Sequence, residues 1–201
     1  CFRDEDLRAD RQPEFTQIDI EASFVTQEDI IHLVNGCLKE VFEGINVPFP
    51  ESVPILTYED AMETYGSDKP DTRFDMTFKE ITEIAKTCDF KIFKDIANTK
   101  GTIKAIVVPN GQEHLSRKKI EDLTPLIETL GLKGVAWWHI QNDETVQSPI
   151  AKFFTEEQVQ NVLTITQAKA NDTILFIADK NRKIVHEGLS RIRLHLAKQL
   201  Q

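Results

Sequence analysis

Pro13-Glu14-Phe15-Thr16-Gln17-Ile18-Asp19-Ile20-Glu21-Ala22-Ser23-Phe24 alternates in polarity along its length. Thr16, Ile18, Ile20, Ala22 and Phe24 fall on one side of an extended chain, and Phe15, Gln17, Asp19, Glu21 and Ser23 on the other. This period of two predicts a strand with one apolar face and one polar face. The polar face is open to two readings, solvent or the floor of a binding site. Just upstream, Asp6-Leu7-Arg8-Ala9-Asp10-Arg11-Gln12 is polar and dense in both charges. It reads as a long hairpin loop joining a short strand over residues 1–5 to the alternating one.

Helix signals follow. Thr26 with Asp29 forms a capping box ahead of Ile30, Ile31, Val34, Cys37, Leu38, Val41 and Phe42, which share one helical face, and Gly44 ends the helix. Thr57 with Asp60 caps a second helix that Gly66 stops. Gly66-Ser67-Asp68-Lys69-Pro70-Asp71 is rich in turn formers and marks the expected domain boundary. Beyond it, Thr77 with Glu80 predicts a helix to about Thr87. Residues 90–93, 102–108, 135–140 and 173–178 read as strands. Ser116 predicts a helix reaching Leu130 with Pro125 in its middle, Ser148-Pro149 a short helical turn, and Thr155 with Gln158 a further helix. An amphipathic helix over residues 180–201 closes the chain, with Ile184, Leu189, Ile192, Leu196 and Leu200 roughly in register. The second region is an α+β unit of about 100 residues.

Composition narrows the function. The 201 residues are 40% hydrophobic and 28% charged, which excludes collagen, low-complexity disorder and a disulfide scaffold. Lys plus Arg number 24 against 33 Asp plus Glu, a net charge of -9, so any nucleic-acid partner must be met by a local patch. No apolar run reaches the roughly 20 residues that span a bilayer. Cys1-Phe2-Arg3-Asp4-Glu5 has no signal-peptide pattern, and the absence of an initiator Met reads as a fragment. Cys1, Cys37 and Cys88 are odd in number and widely spaced, with no metal-ligand pattern; they read as reduced thiols of a cytoplasmic protein. His32, His114, His139, His186 and His195 do not cluster in sequence. Trp137-Trp138 lies in an apolar strand that predicts at least one core ring. No Gly-rich phosphate loop, nucleophile elbow or zinc spacing is present. Arg3, Arg8 and Arg11 carry guanidinium forks able to hold phosphate, or else pair with neighbouring acids on the surface.

The string Phe2-Arg3-Asp4-Glu5-Asp6-Leu7-Arg8-Ala9-Asp10-Arg11-Gln12-Pro13-Glu14-Phe15-Thr16-Gln17-Ile18-Asp19 resembles motif two of the aspartyl-tRNA synthetases, a hairpin of the class II catalytic sheet. Tyr65-Gly66-Ser67-Asp68-Lys69-Pro70-Asp71 resembles the same family. The region after it, with Ser148-Pro149-Ile150-Ala151-Lys152-Phe153 and Ala178-Asp179-Lys180, resembles the GAD domain inserted in the bacterial-type enzymes. The resemblance implies an α+β fold: part of an antiparallel catalytic sheet with flanking helices over 1–75, a GAD insertion over 76–182, and a helix returning to the catalytic domain over 183–201.

It also implies roles. Arg3 would be the catalytic residue, holding the α-phosphate of ATP and touching the aspartate carboxylate. Asp4, Glu5, Gln12 and Phe15 would serve ATP, Glu5 at the adenine amino edge and Phe15 stacked on the purine. Gln17 and Asp19 would lie in the aspartate pocket, and Arg8 and Arg11 near the acceptor end of tRNA. The implied reaction is ATP-dependent formation of aspartyl-adenylate, normally with Mg²⁺ whose ligands lie mostly outside this chain, then transfer to the 3′ end of tRNA. The implied parent is a cytoplasmic homodimer. Motif one, the anticodon-binding OB-fold, the loop that closes on aspartate and the Gly-rich motif three are missing from the sequence. The expectation is that the chain alone is inactive while the parent performs both steps. The alternatives are a non-catalytic tRNA- or protein-binding module built around the GAD region, a scaffold insertion, or an asparagine or lysine enzyme of the same subgroup.

Overall fold

A computed structural model describes residues 1–6 and 11–200. Two compact units emerge, Cys1–Ile55 and Leu56–Gln201.

The first unit holds the hairpin and one long helix. Phe2 bridges Glu14 in antiparallel sense. Arg3 N donates to Pro13 O at 2.9 Å and Phe15 N to Cys1 O at 3.0 Å. The hairpin pairing therefore forms at its base. The alternating stretch beyond Phe15 builds no ladder, which corrects the strand expectation over residues 16–24. Alternation defines two faces, but a strand also needs a neighbour's amides, and no described segment of this unit supplies them. Ile18 is 82% exposed, and Phe24 sits at a φ of 60° that ends the extended run. Helix α1, Gln27–Gly44, starts where expected: Asp29 N donates to Thr26 Oγ1 at 3.3 Å and Thr26 N to Asp29 Oδ2 at 2.8 Å. None of its residues is buried.

The second unit carries α2 (Tyr58–Tyr65), β1 (Lys79–Glu80), α3 (Thr82–Ala85), α4 (Lys91–Asn98), β2 (Thr102–Val108), α5 (Gly111–His114), α6 (Arg117–Glu121), α7 (Thr124–Glu128), β3 (Ala136–Ile140), β4 (Val146–Gln147), a 3₁₀ turn (Ala151–Phe153), α8 (Glu156–Thr166), β5 (Thr173–Asp179) and α9 (Arg182–Leu200). The sheet runs β1-β2-β5-β3-β4 with every pairing antiparallel. Its central strands are buried on both faces, so they read as continuous apolar runs. Ile103 and Ala105 share one side with Ile174, Phe176 and Trp138, covered by α3, α4 and α8. Ile106 and Val108 share the other with Leu175 and Ile177, covered by α7 and α9. Each fully buried aliphatic side chain there contributes about 1.5–3 kcal/mol of transfer free energy.

Three local expectations fail for identifiable reasons. Residues 90–93 are not a strand; α4 forms because Phe93, Ile96 and Ala97 recur at helical spacing over the core, a period that four residues are too short to reveal. The Thr77–Glu80 cap signal yields to tertiary pairing. Lys79 and Glu80 register with Ala105 and Lys104, and Ile103 N donates to Thr82 Oγ1 at 2.9 Å, so the helix begins only at Thr82. The helix expected from Ser116 to Leu130 breaks into α6 and α7, with Pro125 in the first turn of α7, where its missing N–H costs nothing.

The division at 55/56 also precedes the turn-rich segment expected as the boundary. Buried contacts tie that segment into the second unit. Gly66 ends α2 at a φ of 70°, and a Cβ there would lie 2.3 Å from His186 O. Arg193 of α9, 1% exposed, donates from Nη2 to the carbonyls of Asp71, Phe74 and Asp75 at 2.8, 2.7 and 2.9 Å. Its guanidinium stacks between the rings of Tyr65 and Phe74. Helix α9 itself packs on β2, β5, α2 and α7.

Candidate active site

The hairpin brings residues from its two paired segments to one place. Arg3, Glu5, Arg11, Gln12 and Phe15 line a single cavity of about 390 Å³. Main-chain pairing at the hairpin base does this, since it holds Arg3 against Pro13 and Cys1 against Phe15. The Arg3 guanidinium lies 5.3 Å from the centroid of the Phe15 ring, a cation–π contact. Glu5 takes a 2.7 Å hydrogen bond from Arg11 Nη1 and faces Arg3 Nη1 at 3.9 Å. One half-buried aromatic plate, two guanidinium groups, one carboxylate and one amide thus surround an open volume. A flat ring suits the plate, and oxyanions suit the planar donor forks.

The other expected residues are not brought there. Asp4, Gln17 and Asp19 are exposed and do not line the cavity, and Arg8 lies outside the described residues. Arg11, expected near tRNA, lines the cavity and pairs with Glu5. Among the described residues of the lining, Glu5 is the only carboxylate, and it is already held by Arg11. A protein-bound Mg²⁺ needs one or two free carboxylates besides phosphate oxygens, so the described residues do not form such a site by themselves. No group of three or more His, Cys, Asp or Glu able to hold a metal occurs among the described residues.

The sequence reading passed over a polar cluster in the second unit. Lys104 points inward from the middle of β2, 2% exposed, and donates to Glu63 Oε2 at 2.6 Å and Glu63 O at 2.8 Å. Arg182 of α9 also binds Glu63 and reaches Glu80 at 3.4 Å. His186 Nε2, buried without a hydrogen bond, faces Glu63 Oε1 at 3.6 Å. Partial burial pushes the Glu63 carboxyl up, but the hydrogen bonds from Lys104 and Arg182 outweigh it and hold the group below its ordinary range. Burial and the Lys104 charge hold His186 below its ordinary value. A lone lysine inside the apolar run Thr102–Val108 was the available signal, because a buried lysine requires a partner.

The model of the tRNA synthetases class II (D, K and N) matches residues 1–187, the hairpin included. The chain belongs to that family. It is 47% identical over 206 residues to the aspartate–tRNA(Asp/Asn) ligase of Bacillus cytotoxicus. It is 45% identical over 201 residues to the aspartate–tRNA ligase of Staphylococcus saprophyticus and 46% identical over 201 residues to that of Staphylococcus aureus strain Newman. Each comparison covers 100% of this chain and 34% of the relative, so this class II chain spans about a third of the length of the curated relatives it matches. No helix among its described residues is long and apolar enough to cross a membrane.

Proposed function

We propose that this chain is the motif-two and GAD portion of an aspartate–tRNA ligase, and that the hairpin cavity is its ATP site. The observation that carries this reading is the meeting of Arg3, Glu5, Gln12 and Phe15 around one cavity. Those are four of the five residues to which the family resemblance gives ATP contacts, held together by the main-chain pairing at the hairpin base. Relatives named as aspartate–tRNA ligases, at 45–47% identity, point to aspartate over asparagine or lysine.

Nucleotide binding exchanges the internal contacts for substrate contacts. The adenine ring takes the face of Phe15, and the Arg3 guanidinium turns to the α-phosphate. Glu5 accepts from the adenine amino group, and Gln12 adds a polar contact to the nucleotide. An aspartate carboxylate oxygen then attacks the α-phosphorus as the bond to pyrophosphate breaks. Negative charge grows on the phosphoryl oxygens, and a fixed guanidinium aimed there favours the transition state over the ground state. Orientation supplies most of the remainder, with no covalent enzyme intermediate. Gln17 and Asp19 serve the aspartate side, Asp19 towards the substrate ammonium, and Arg8 and Arg11 the incoming tRNA end. Mg²⁺, used with ATP across the family, would offset phosphate charge and would find its ligands mostly outside this chain. The parent works as a homodimer in the cytoplasm and passes the aspartyl group to the 3′ end of tRNA, while the 201-residue chain alone is inactive.

Aspartate-dependent exchange of pyrophosphate into ATP, measured on the full-length parent, tests this. Lysine keeps the charge of Arg3 but loses the fork, so Arg3→Lys is expected to lower the exchange rate about 10²–10³-fold, the usual cost of a lost oxyanion donor. Phe15→Leu is expected to raise the KM for ATP. Wild-type exchange in Arg3→Lys, or exchange driven by asparagine or lysine in place of aspartate, would overturn the reading.

A further inference from the structure

The sheet of the second unit comes apart at one corner. Strand β5 runs to Asp179 and pairs with β2 over its whole length, but its pairing with β3 stops at Ala136↔Phe176. Past that point the far edge of β5 has no strand beside it. The outer strands β1 and β4 are only two residues long and leave parts of β2 and β3 open as well; what sets this inner edge apart is the groove that opens along it.

Ladder parity identifies the free groups. Ile140 N donates to Asp172 O at 2.9 Å, and antiparallel bonding alternates, so Ile174 and Phe176 turn their amides toward β3. From the other edge, Ile81 N donates to Ile103 O at 3.0 Å, which directs Thr102, Lys104 and Ile106 toward β5 and assigns Leu175, Ile177 and Asp179 to β2. Both routes make Ala178 the next β5 residue facing the gap, with Gly134 opposite it.

A groove of about 540 Å³ opens here, and Ala178 and Gly134 both line it. Its walls draw on both faces of the sheet. Phe93 and Phe176 belong to the core under α3, α4 and α8, and Ile120 and Leu132 to the core under α7 and α9. The apolar lining passes through the plane where a strand would lie. An extended chain sends alternate side chains to opposite faces, which suits this lining, whereas a ligand bound on one face would leave half of it unused.

Charge at the rim narrows the occupant. Arg117 is held by Glu121 at 2.8 Å, and Asp179 Oδ1 accepts from Asn181 N at 2.7 Å. Lys133, exposed at the mouth, has no ion pair among the described residues. Two carboxylates on the same rim disfavour a polyanion such as RNA, while one free ammonium suits a single carboxylate.

We infer that this groove is a docking site for an extended peptide segment of a partner protein, with aliphatic side chains at alternate positions and a carboxylate beside them. The segment adds its main chain to β5 at Ala178, places aliphatic groups in the two halves of the lining, and sets its carboxylate on Lys133.

Fluorescence anisotropy with the 201-residue chain tests the inference, using a fluorescein-labelled heptapeptide that alternates isoleucine with serine and ends in a free glutamate. Saturable binding is expected. N-methylation of alternate amides should abolish it in one phase of the alternation and spare it in the other. Ile92→Asp changes a groove residue that is 59% exposed, so the fold tolerates it, and should weaken binding about tenfold or more. Lys133→Glu should weaken it as well. Hydrogen exchange at the Ala178 amide should slow in the wild-type complex, a readout that needs no variant. The inference fails if the peptide does not bind, if N-methylation in both phases or Ile92→Asp leaves binding unchanged, or if an oligouridylate RNA binds the groove and displaces the peptide.

Discussion

The two units respond differently to the same kind of patterning. In the first, α1 has a full capping box and a clean apolar face, yet Val34, Leu38 and Val41 remain between 42% and 53% exposed. In the second, α9 has its own apolar stripe, and Leu189, Ile192 and Leu196 are completely covered. Amphipathic spacing creates a face; burying it takes a second layer. The second unit contains that layer on both sides of its sheet, whereas the described residues of the first do not. The unit with the candidate catalytic residues is thus the one without a core of its own, and the unit with the core carries the peptide groove.

Substitutions should read this contrast as an order of costs. Phe176→Ala, in the centre of the sheet, is expected to destabilise the second unit by about 3–5 kcal/mol in urea unfolding. A loss below about 1 kcal/mol would mean the core is looser than its burial indicates. Gly66→Ala comes next. It should cost about 1–2 kcal/mol for a left-handed non-glycine residue. The clash with His186 O should add about 1–3 kcal/mol.

A pH series gives a smaller, graded effect. Burial holds both His139 and His186 below their ordinary pKa, with Lys104 adding to the effect at His186. The unfolded chain therefore binds protons that the folded chain refuses. Stability should be full above about pH 6.5 and fall as the pH drops through that value. Urea midpoints at several pH values would show the slope, and replacing both histidines by glutamine should flatten it. Val34→Ser with Leu38→Ser should do least, changing stability by less than about 0.5 kcal/mol, because neither side chain is buried. A large loss there would show that the α1 face is covered in the protein and would erase the contrast.

Local signals in the chain were sufficient for several elements. The capping boxes at Thr26 and Thr155, the Gly66 stop and the apolar runs of β2 and β5 all act through neighbouring residues, and the structure carries each of them. The convergence of Arg3 and Phe15 was legible because the resemblance gives both residues to ATP and the hairpin makes their segments neighbours. The resemblance sets Gln17 and Asp19 in an aspartate pocket, but the strand that would carry them has no partner among the described residues to hold the register.

What the sequence determined by itself was therefore local: caps and turns fixed by interactions a few residues long, and the base of the hairpin, closed by contacts 10 to 14 residues apart. Tertiary structure decided where Glu80 stopped being a helix cap and became a strand residue, which partner Lys104 found on α2, and how far Arg193 reached to hold the segment from Asp71 to Met76. Those outcomes depend on amides and charges brought together from 24 to 122 residues apart. A buried donor must be satisfied by whatever the fold delivers to it, and no short window of sequence contains that information.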